Sequence, residues 1–188
     1  MKTKMVGLVL GLVAVAAIAF AVVYWPEPVS ESGASAPHYE ARGLVTQVVD
    51  GDTIIVWLTW VDESIEDVEA GVENSVRFSG GIDAPELVEN GGAEAGNFVI
   101  GLCPLWTEVF LDLDDGATGG TGSYRDKYGR LLAVIYVEQD GKWINVNAEE
   151  LRWGMEAYPL NDWLEYISYD SDFDPYEWLA DNYPYVCG

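Results

Sequence analysis

Three short motifs carry acids and arginines whose chemistry suits a phosphate ester. They occupy residues 49–53, 77–86 and 126–130, and their reactive members are Asp52, Arg77, Asp83, Glu86 and Arg130. Carboxylates are ligands of hard cations such as Ca²⁺, and the planar fork of arginine grips phosphate oxygens in a way that lysine cannot. A cation, two arginines and a spare carboxylate that orients or deprotonates a water are the parts that phosphodiester cleavage needs.

These motifs lie at the ends of segments with the composition of β-strands. The sequence predicts strands over residues 44–49, 53–58, 72–79, 109–113 and 131–137, and helices over residues 91–102 and 145–153. Asp50-Gly51-Asp52 is a turn signal, so the first two strands form a hairpin. Five strands with two or three helices predict a β-rich α+β domain built on a five-stranded barrel of the OB type, rather than a doubly wound sheet.

Taken together and in this order, the motifs resemble the thermonuclease (staphylococcal nuclease-like) family. The similar stretches are VDGDT at 49–53, GIDAPE at 81–86, DKYGRLLAVIYV at 126–137 and INVNAEELRWGMEAY at 144–158. The resemblance spans roughly residues 43–158. It implies an OB-fold barrel, bound Ca²⁺, and hydrolysis of DNA and RNA at the 5′ P–O bond.

The resemblance also implies which residues hold the cation and handle the attacking water. Asp52 and Asp83 are expected to ligate Ca²⁺ through their side chains, and Ala84 through its backbone carbonyl. Glu86 is expected to act as the general base or as the group that orients the water.

The expected phosphate contacts come from the same resemblance. Arg77 and Arg130 would bind the scissile phosphate and stabilise its transition state, while Lys127 and Tyr128 would contact the nucleotide's phosphate more peripherally. The family usually places its arginine five residues before the metal-binding aspartate, whereas Arg77 precedes Asp83 by six. An extra residue in a regular strand turns a side chain to the opposite face. We expect a β-bulge at residues 80–81, both glycine, to return Arg77 to the site.

Net charge argues against binding of nucleic acid at ordinary salt. Thirty-two acidic residues face nine Lys and Arg, for a formal charge of −23. Nucleic-acid binding normally relies on Lys and Arg to release counterions. One interpretation is a halophilic surface, adapted to salt that shortens the Debye length to about 3 Å at 1 M; the other is a protein that avoids polyanions. We favour the first, because the acids are spread along the whole chain beyond residue 40.

The N-terminus predicts an extracytoplasmic protein. Residues 5–25 are an apolar run that follows Lys2 and Lys4, long enough for a transmembrane helix with the remainder outside the cytoplasm. A cleaved signal peptide is the alternative, with A-x-A sequences at 19–21 and 34–36. Residues 1–25 are therefore an anchor that binds the membrane or a signal peptide of a secreted protein, and residues 26–40 a flexible linker.

The remaining segments are a domain over 41–160 and an acidic, aromatic extension over 161–188. In the extension we predict a short helix over 175–182, with aromatic side chains that dock on the core rather than stack on bases. Residues 60–74 read as a solvated loop, and we assign no role to His38. Cys103 and Cys187 form one disulfide or remain two unpaired thiols, and a Cys/His zinc site is excluded.

Two functional classes compete. The first is a monomeric, calcium-dependent phosphodiesterase that acts on DNA and/or RNA and needs no protein partner. The second is a catalytically silent OB-fold module that binds nucleic acid or a protein at the cell surface. The set of acids with Arg130 favours the enzyme, while the net charge and the shifted Arg77 favour the binding module.

Overall fold

The computed structural model describes residues 31–32, 36–117, 124–167 and 171–182. Their secondary structure is β1 (Glu31–Ser32), β2 (Ala41–Val48), β3 (Thr53–Val61), β4 (Glu73–Phe78), α1 (Gly92–Leu102), β5 (Glu108–Leu113), β6 (Leu131–Gln139), β7 (Lys142–Asn145), α2 (Val146–Ala157) and α3 (Pro175–Asn182). The apolar run at 5–25, predicted as an anchor or signal peptide, lies outside the described residues. Within the described ranges, no helix is both long and apolar enough to cross a bilayer.

Five strands close into a barrel. The order is β2-β3-β4-β6-β5, and β5 pairs with both β6 and β2, so the sheet closes on itself. All neighbours are antiparallel except β4 and β6, which are parallel. The predicted five-stranded barrel is confirmed, and its mixed topology is consistent with the OB type.

Two further strands extend the sheet beyond the barrel. β7 pairs with β6 across the turn at Asp140-Gly141, and β1 pairs with β7. Neither strand was predicted. β7 has only four residues, too few to establish an alternating pattern, and β1 lies within the segment expected to be a flexible linker.

Strand alternation turns Arg77 away from the barrel interior. In β4, Val76 and Phe78 are buried in the core, so the residue between them points to the opposite face. Hydrogen bonds of a regular ladder hold β4 between β3 and β6, with Arg77 opposite Thr53 on one side and Leu132 on the other. The strand therefore fixes the direction in which the guanidinium leaves the sheet.

A buried asparagine attaches α2 to the barrel. Asn145 caps the helix by accepting a hydrogen bond from the Ala148 N–H. The Asn147 side chain accepts a hydrogen bond from the Ile135 N–H and donates to the carbonyls of Ala133 and Ser79. Because Ser79 directly follows β4, this contact also positions the turn beyond that strand.

The C-terminal extension docks on α2 and the barrel. Trp163 and Phe173 are buried in the core and Trp178 packs against it, as predicted, whereas Tyr166 is 92 % exposed. Tyr169, Tyr185 and Cys187 lie outside the described residues. The predicted helix at 175–182 is confirmed as α3. Cys103 is buried, and no disulfide joins it to any of the described residues.

Candidate functional site

The turn between β2 and β3 carries Asp52 at a fixed position. The Val49 N–H donates to the Thr53 carbonyl over 2.9 Å, and the Asp52 N–H donates to Asp50 Oδ1 over 3.1 Å. Gly51 is buried in the turn, where a Cβ would lie 2.6 Å from the Cβ of Ala95. A larger residue does not fit there, so glycine is required by close packing against α1.

Asp52 is a buried carboxylate that accepts three hydrogen bonds. Its Oδ1 accepts from Thr53 Oγ1 at 2.7 Å and from Arg77 Nη1 at 3.1 Å, and its Oδ2 accepts from the Ala84 N–H at 3.0 Å. Burial raises the pKa of Asp52 to about 6, and the charge of Asp50 adds to this. The three donors oppose that rise, because each stabilises the ionised form.

Arg77 is surrounded by three carboxylates. Its Nη1 contacts Asp52. Its Nη2 lies 3.0 Å from Asp83 Oδ1, 3.0 Å from Glu165 Oε1 and 3.1 Å from the Ile82 carbonyl. The guanidinium is mostly buried, whereas Asp83 and Glu165 are about half exposed. The expectation that Arg77 faces Asp52 and Asp83 is confirmed.

The extra residue between Arg77 and Asp83 is accommodated differently from the prediction. Pairing of β4 with β3 and β6 is regular throughout, so the expected β-bulge is absent from these described strands. Gly80 and Gly81 instead form a turn after the strand ends, with φ angles of 82° and 73°. Two consecutive left-handed residues reverse the chain there, which suits glycine alone.

The third motif brings a second arginine to the same region. Arg130 Nε donates to Asp126 Oδ2 over 2.7 Å, and its Nη1 lies 3.5 Å from Thr53 Oγ1. The Thr53 hydroxyl in turn donates to Asp52, so it connects the Arg130 and Arg77 sides of the site. The Arg130 guanidinium also lies 5.4 Å from the centroid of the exposed Tyr128 ring.

These groups line one open cleft of about 640 Å³. Its charged and aromatic lining residues are Arg77, Asp83, Glu86, Arg125, Asp126, Lys127, Tyr128, Arg130, Glu165 and Tyr166. Six of the eight residues predicted for the site are among its walls, and the other two, Asp52 and Ala84, are joined to it through the Asp52 carboxylate. The structure thus brings together all eight residues.

The cleft is locally balanced in charge, unlike the chain as a whole. Four of the nine Lys and Arg residues in the sequence line it, namely Arg77, Arg125, Lys127 and Arg130. Four acids also line it, namely Asp83, Glu86, Asp126 and Glu165. Arg125 is partly committed to the fold, because its guanidinium donates to the Gly129 carbonyl and to Asn74 Oδ1.

The donors near Asp52 suit a hard cation. Only oxygen atoms are offered here, by the side chains of Asp52 and Asp83 and by the carbonyl of Ala84, and oxygen is the ligand that Ca²⁺ prefers. Asp52 is a buried acid with a raised pKa, and a nearby cation would stabilise its ionised form. Arg77 supplies positive charge beside both Asp52 and Asp83.

A separate group of possible metal ligands lies outside the cleft. Within the described ranges, His38, Glu40 and Asp112 form the group whose ligand atoms lie within 4.8 Å of one another. His38 Nδ1 is 3.1 Å from Glu40 Oε1 and 3.4 Å from Asp112 Oδ1. The hydrogen bond to Asp112 and the charge of Glu40 raise the pKa of His38. The His38 side chain is 76 % exposed, so these contacts form a solvated ion pair at the surface. The sequence assigned no role to His38.

Two acids near the site were missed. Glu165 was placed in the acidic, aromatic extension and was given no role at the site. Glu150 is fully buried, and neither of its carboxylate oxygens has a hydrogen-bond partner among the described residues. Burial, followed by the charges of Asp52 and Asp50, raises its pKa well above the usual range. A signal for Glu150 did exist, since it follows the buried Val146 and Asn147 by four and three residues, a spacing that puts all three on one face of α2.

Comparison with known proteins assigns no family. The chain matches no protein-family model, and no curated protein is significantly similar to it in sequence. What the cleft does chemically therefore follows from its own residues.

Proposed function

We propose that the chain is a calcium-dependent phosphodiesterase of the thermonuclease type, which hydrolyses DNA and/or RNA at the 5′ P–O bond. The observation that carries the proposal is the gathering of four of the nine basic residues in one cleft, beside Asp52, Asp83 and Glu86. The apolar run at 5–25 supports an extracytoplasmic location, either anchored or secreted.

The charge distribution supports a polyanionic substrate in spite of the acidic surface. Four basic side chains in the cleft offset its four acids, so the cleft lacks the strong negative charge of a chain of net charge −23 and offers cationic groups to a phosphate. Salt screens the more distant surface acids more strongly than groups in direct contact. We therefore expect the best activity at high ionic strength, where repulsion from the surface is weakest.

Asp52, Asp83 and the Ala84 carbonyl would hold the calcium ion. When bound, calcium supplies positive charge that neutralises the phosphate oxygens as negative charge develops on them. These residues fit that task, since each offers an oxygen and Asp52 is already held in place by Thr53 and Ala84.

The two arginines would bind the phosphate and stabilise its transition state. Arg77 reaches the cleft from β4 and Arg130 from the turn just before β6, and Thr53 connects their positions through its hydroxyl. Preorganised guanidinium groups stabilise the charge on the phosphorus oxygens without reorganising during the reaction. Lys127 and Tyr128 also line the cleft, where they would contact the nucleotide's phosphate more peripherally.

Glu86 would accept the proton of the attacking water. It lines the cleft, and its backbone N–H donates to Glu89 Oε2 over 3.0 Å, which steadies this part of the chain. The water oxygen forms a bond to phosphorus, the bond from phosphorus to the 5′ oxygen breaks, and that oxygen takes up a proton. The products are a 3′-phosphate and a 5′-hydroxyl.

A nuclease assay tests this proposal. The full-length chain is assayed in mild detergent and high salt, once with calcium and once with a chelator. Its cleavage rate is compared with that of Glu86→Gln and with that of a control, Glu63→Gln, in the exposed loop after β3. We expect chelation to abolish cleavage and Glu86→Gln to lose at least about 10²-fold in rate, because it removes the proton acceptor. Equal rates for wild type and Glu86→Gln, or activity indifferent to chelation, would contradict the mechanism.

A binding module without catalysis is the second candidate. The observation in its favour is that Arg77 is held by three carboxylates, which reduces its availability to a phosphate. If this candidate is correct, we expect the protein to bind nucleic acid in the calcium buffer of the same assay and to leave it uncut.

A further inference from the structure

Residues 161–167, called here the strap, run beside the segment that carries Asp83. The Asp83 N–H donates to the Trp163 carbonyl over 3.0 Å, and the Glu165 N–H donates to the Gly81 carbonyl over 2.8 Å. Ile82 and Leu164 form an antiparallel bridge between them. The strap is therefore held to the edge of the site by backbone hydrogen bonds.

The core end of the strap is anchored by Trp163. This side chain is 3 % exposed, and its Nε1 donates to the Tyr158 carbonyl over 3.1 Å. A Cβ at Gly154 would lie 2.5 Å from the indole ring, so the ring lies directly on the backbone of α2. Burying a tryptophan in this way fixes the position of the residues that follow it.

The glycine turn after β4 fits the strap. A Cβ at Gly81 would lie 2.6 Å from the Glu165 carbonyl oxygen, and one at Gly80 would lie 2.7 Å from the Phe173 ring. The turn that contains the extra residue is thus the surface on which the extension packs. Its close approach brings the Glu165 side chain over Arg77.

Arg77 Nη2 faces more oxygen atoms than it has hydrogens to donate. It carries two hydrogens, while the Ile82 carbonyl, Asp83 Oδ1 and Glu165 Oε1 all lie within 3.1 Å of it. A carboxylate and a phosphate present similar oxygen acceptors to a guanidinium. The Glu165 carboxylate, which is 50 % exposed, thus occupies a position that a phosphate oxygen would need.

We propose that Glu165 is a positioning residue that competes with the phosphate of a nucleic acid for Arg77 and so lowers the affinity of the cleft for phosphate. This inference rests on the proposed function. Phosphate binds to Arg77 by taking the place of the Glu165 carboxylate, which moves into the surrounding solvent. Asp83 does not have this role, because it is assigned to the cation.

A titration without calcium tests the competition. Full-length protein with ¹⁵N-labelled arginine is titrated with inorganic phosphate in a chelating, high-salt buffer, and the Arg77 side-chain resonance is followed. Glu165→Gln and Glu165→Ala are compared with Asp162→Asn, which removes one charge from the same strap at an exposed position. We expect both Glu165 variants to bind phosphate roughly threefold to tenfold more tightly than wild type, and Asp162→Asn to match wild type.

The outcomes separate this inference from the proposed function. Equal or weaker phosphate binding by the Glu165 variants, with the Arg77 resonance still responding, overturns the competition alone. An Arg77 resonance that phosphate moves in none of the proteins overturns both. In steady-state cleavage with calcium, competition predicts that Glu165→Gln lowers KM and leaves kcat within about twofold; a fall in kcat with unchanged KM contradicts it.

Discussion

Asp52 Oδ1 lies 3.1 Å from Arg77 Nη1 at the base of the cleft, although 25 residues separate the two along the chain. The hairpin and the adjacent strand produce this contact, because Thr53 pairs with Arg77 and the Phe78 N–H donates to the Asp52 carbonyl over 2.8 Å. Asp52 and Arg77, the arginine proposed to bind phosphate, are therefore positioned by the barrel strands and by the turn that joins β2 to β3.

Replacement of Asp52 by asparagine tests the cation site. The change removes a charged oxygen ligand but keeps the shape of the side chain, so calcium affinity should fall about tenfold or more. Calorimetric titration of the full-length protein with calcium measures this, with Asp181→Asn at an exposed position of α3 as the control. Unchanged calcium affinity in Asp52→Asn would remove this residue from the set of ligands.

Replacement of Arg130 by lysine tests whether its planar fork is needed. Lysine keeps the charge but cannot make the paired hydrogen bonds, so kcat/KM should fall about 10²-fold. Arg42→Lys is the matched control, because Arg42 of β2 is partly exposed, pairs with Glu108 of β5 and does not line the cleft. If Arg130→Lys cleaves as fast as wild type, the arginine acts only as a point charge.

Glu150 should make folding stability fall as pH rises. Its pKa is raised in the folded protein, chiefly by burial, above the value of about 4.3 that is ordinary for glutamate in an unfolded chain. Between the two pKa values the folded state holds a proton that the unfolded state has released, so the free energy of unfolding decreases with increasing pH. Glutamine cannot ionise and should remove this contribution.

Denaturant unfolding of Glu150→Gln at about pH 4 and about pH 8 measures the effect. The variant should gain stability over wild type as the pH is raised, whereas Glu94→Gln, exposed on α1, should show no such trend. Asp52, whose pKa is also raised, contributes a slope of the same sign in wild type and in both variants. A stability difference that is independent of pH would show that Glu150 ionises normally.

Gly154→Ala should destabilise the protein by undocking the strap. A glycine-to-alanine change within a helix usually stabilises by about 1 kcal/mol. At Gly154, however, the new Cβ would lie 2.5 Å from the Trp163 ring, and overpacking of this kind costs about 1–3 kcal/mol. Gly101→Ala in α1 is the control, because a Cβ there has no neighbour within 4 Å. Stabilisation of Gly154→Ala by as much as Gly101→Ala would indicate that the ring is free to move.

Local patterns were sufficient to predict the barrel. Turn chemistry at Asp50-Gly51-Asp52 identified the first hairpin, and runs of β-branched residues located the remaining barrel strands to within a few residues. The side of the sheet on which Arg77 lies followed from alternation with Val76 and Phe78. Each of these features depends on neighbours in the sequence, which is why a single sequence revealed them.

The missed features depend on contacts between distant segments. Glu165 meets Arg77 across 88 residues, and neither periodicity nor turn chemistry reports such a pairing. The β-bulge prediction was wrong for the same reason: the two glycines turn the chain after β4 because the strap and Phe173 pack against them. His38 likewise meets Asp112 only because the chain before β2 folds back along β5.

Analysis of the reaction products tests the central claim most directly. A single-stranded DNA oligonucleotide of defined sequence is incubated at high salt with the full-length protein, with and without calcium, and its fragments are weighed by mass spectrometry. We expect fragments that end in a 3′-phosphate and begin with a 5′-hydroxyl, formed only with calcium and lost in Asp52→Asn. An intact oligonucleotide in the presence of calcium, or fragments that also form with chelator or with Asp52→Asn, would contradict it.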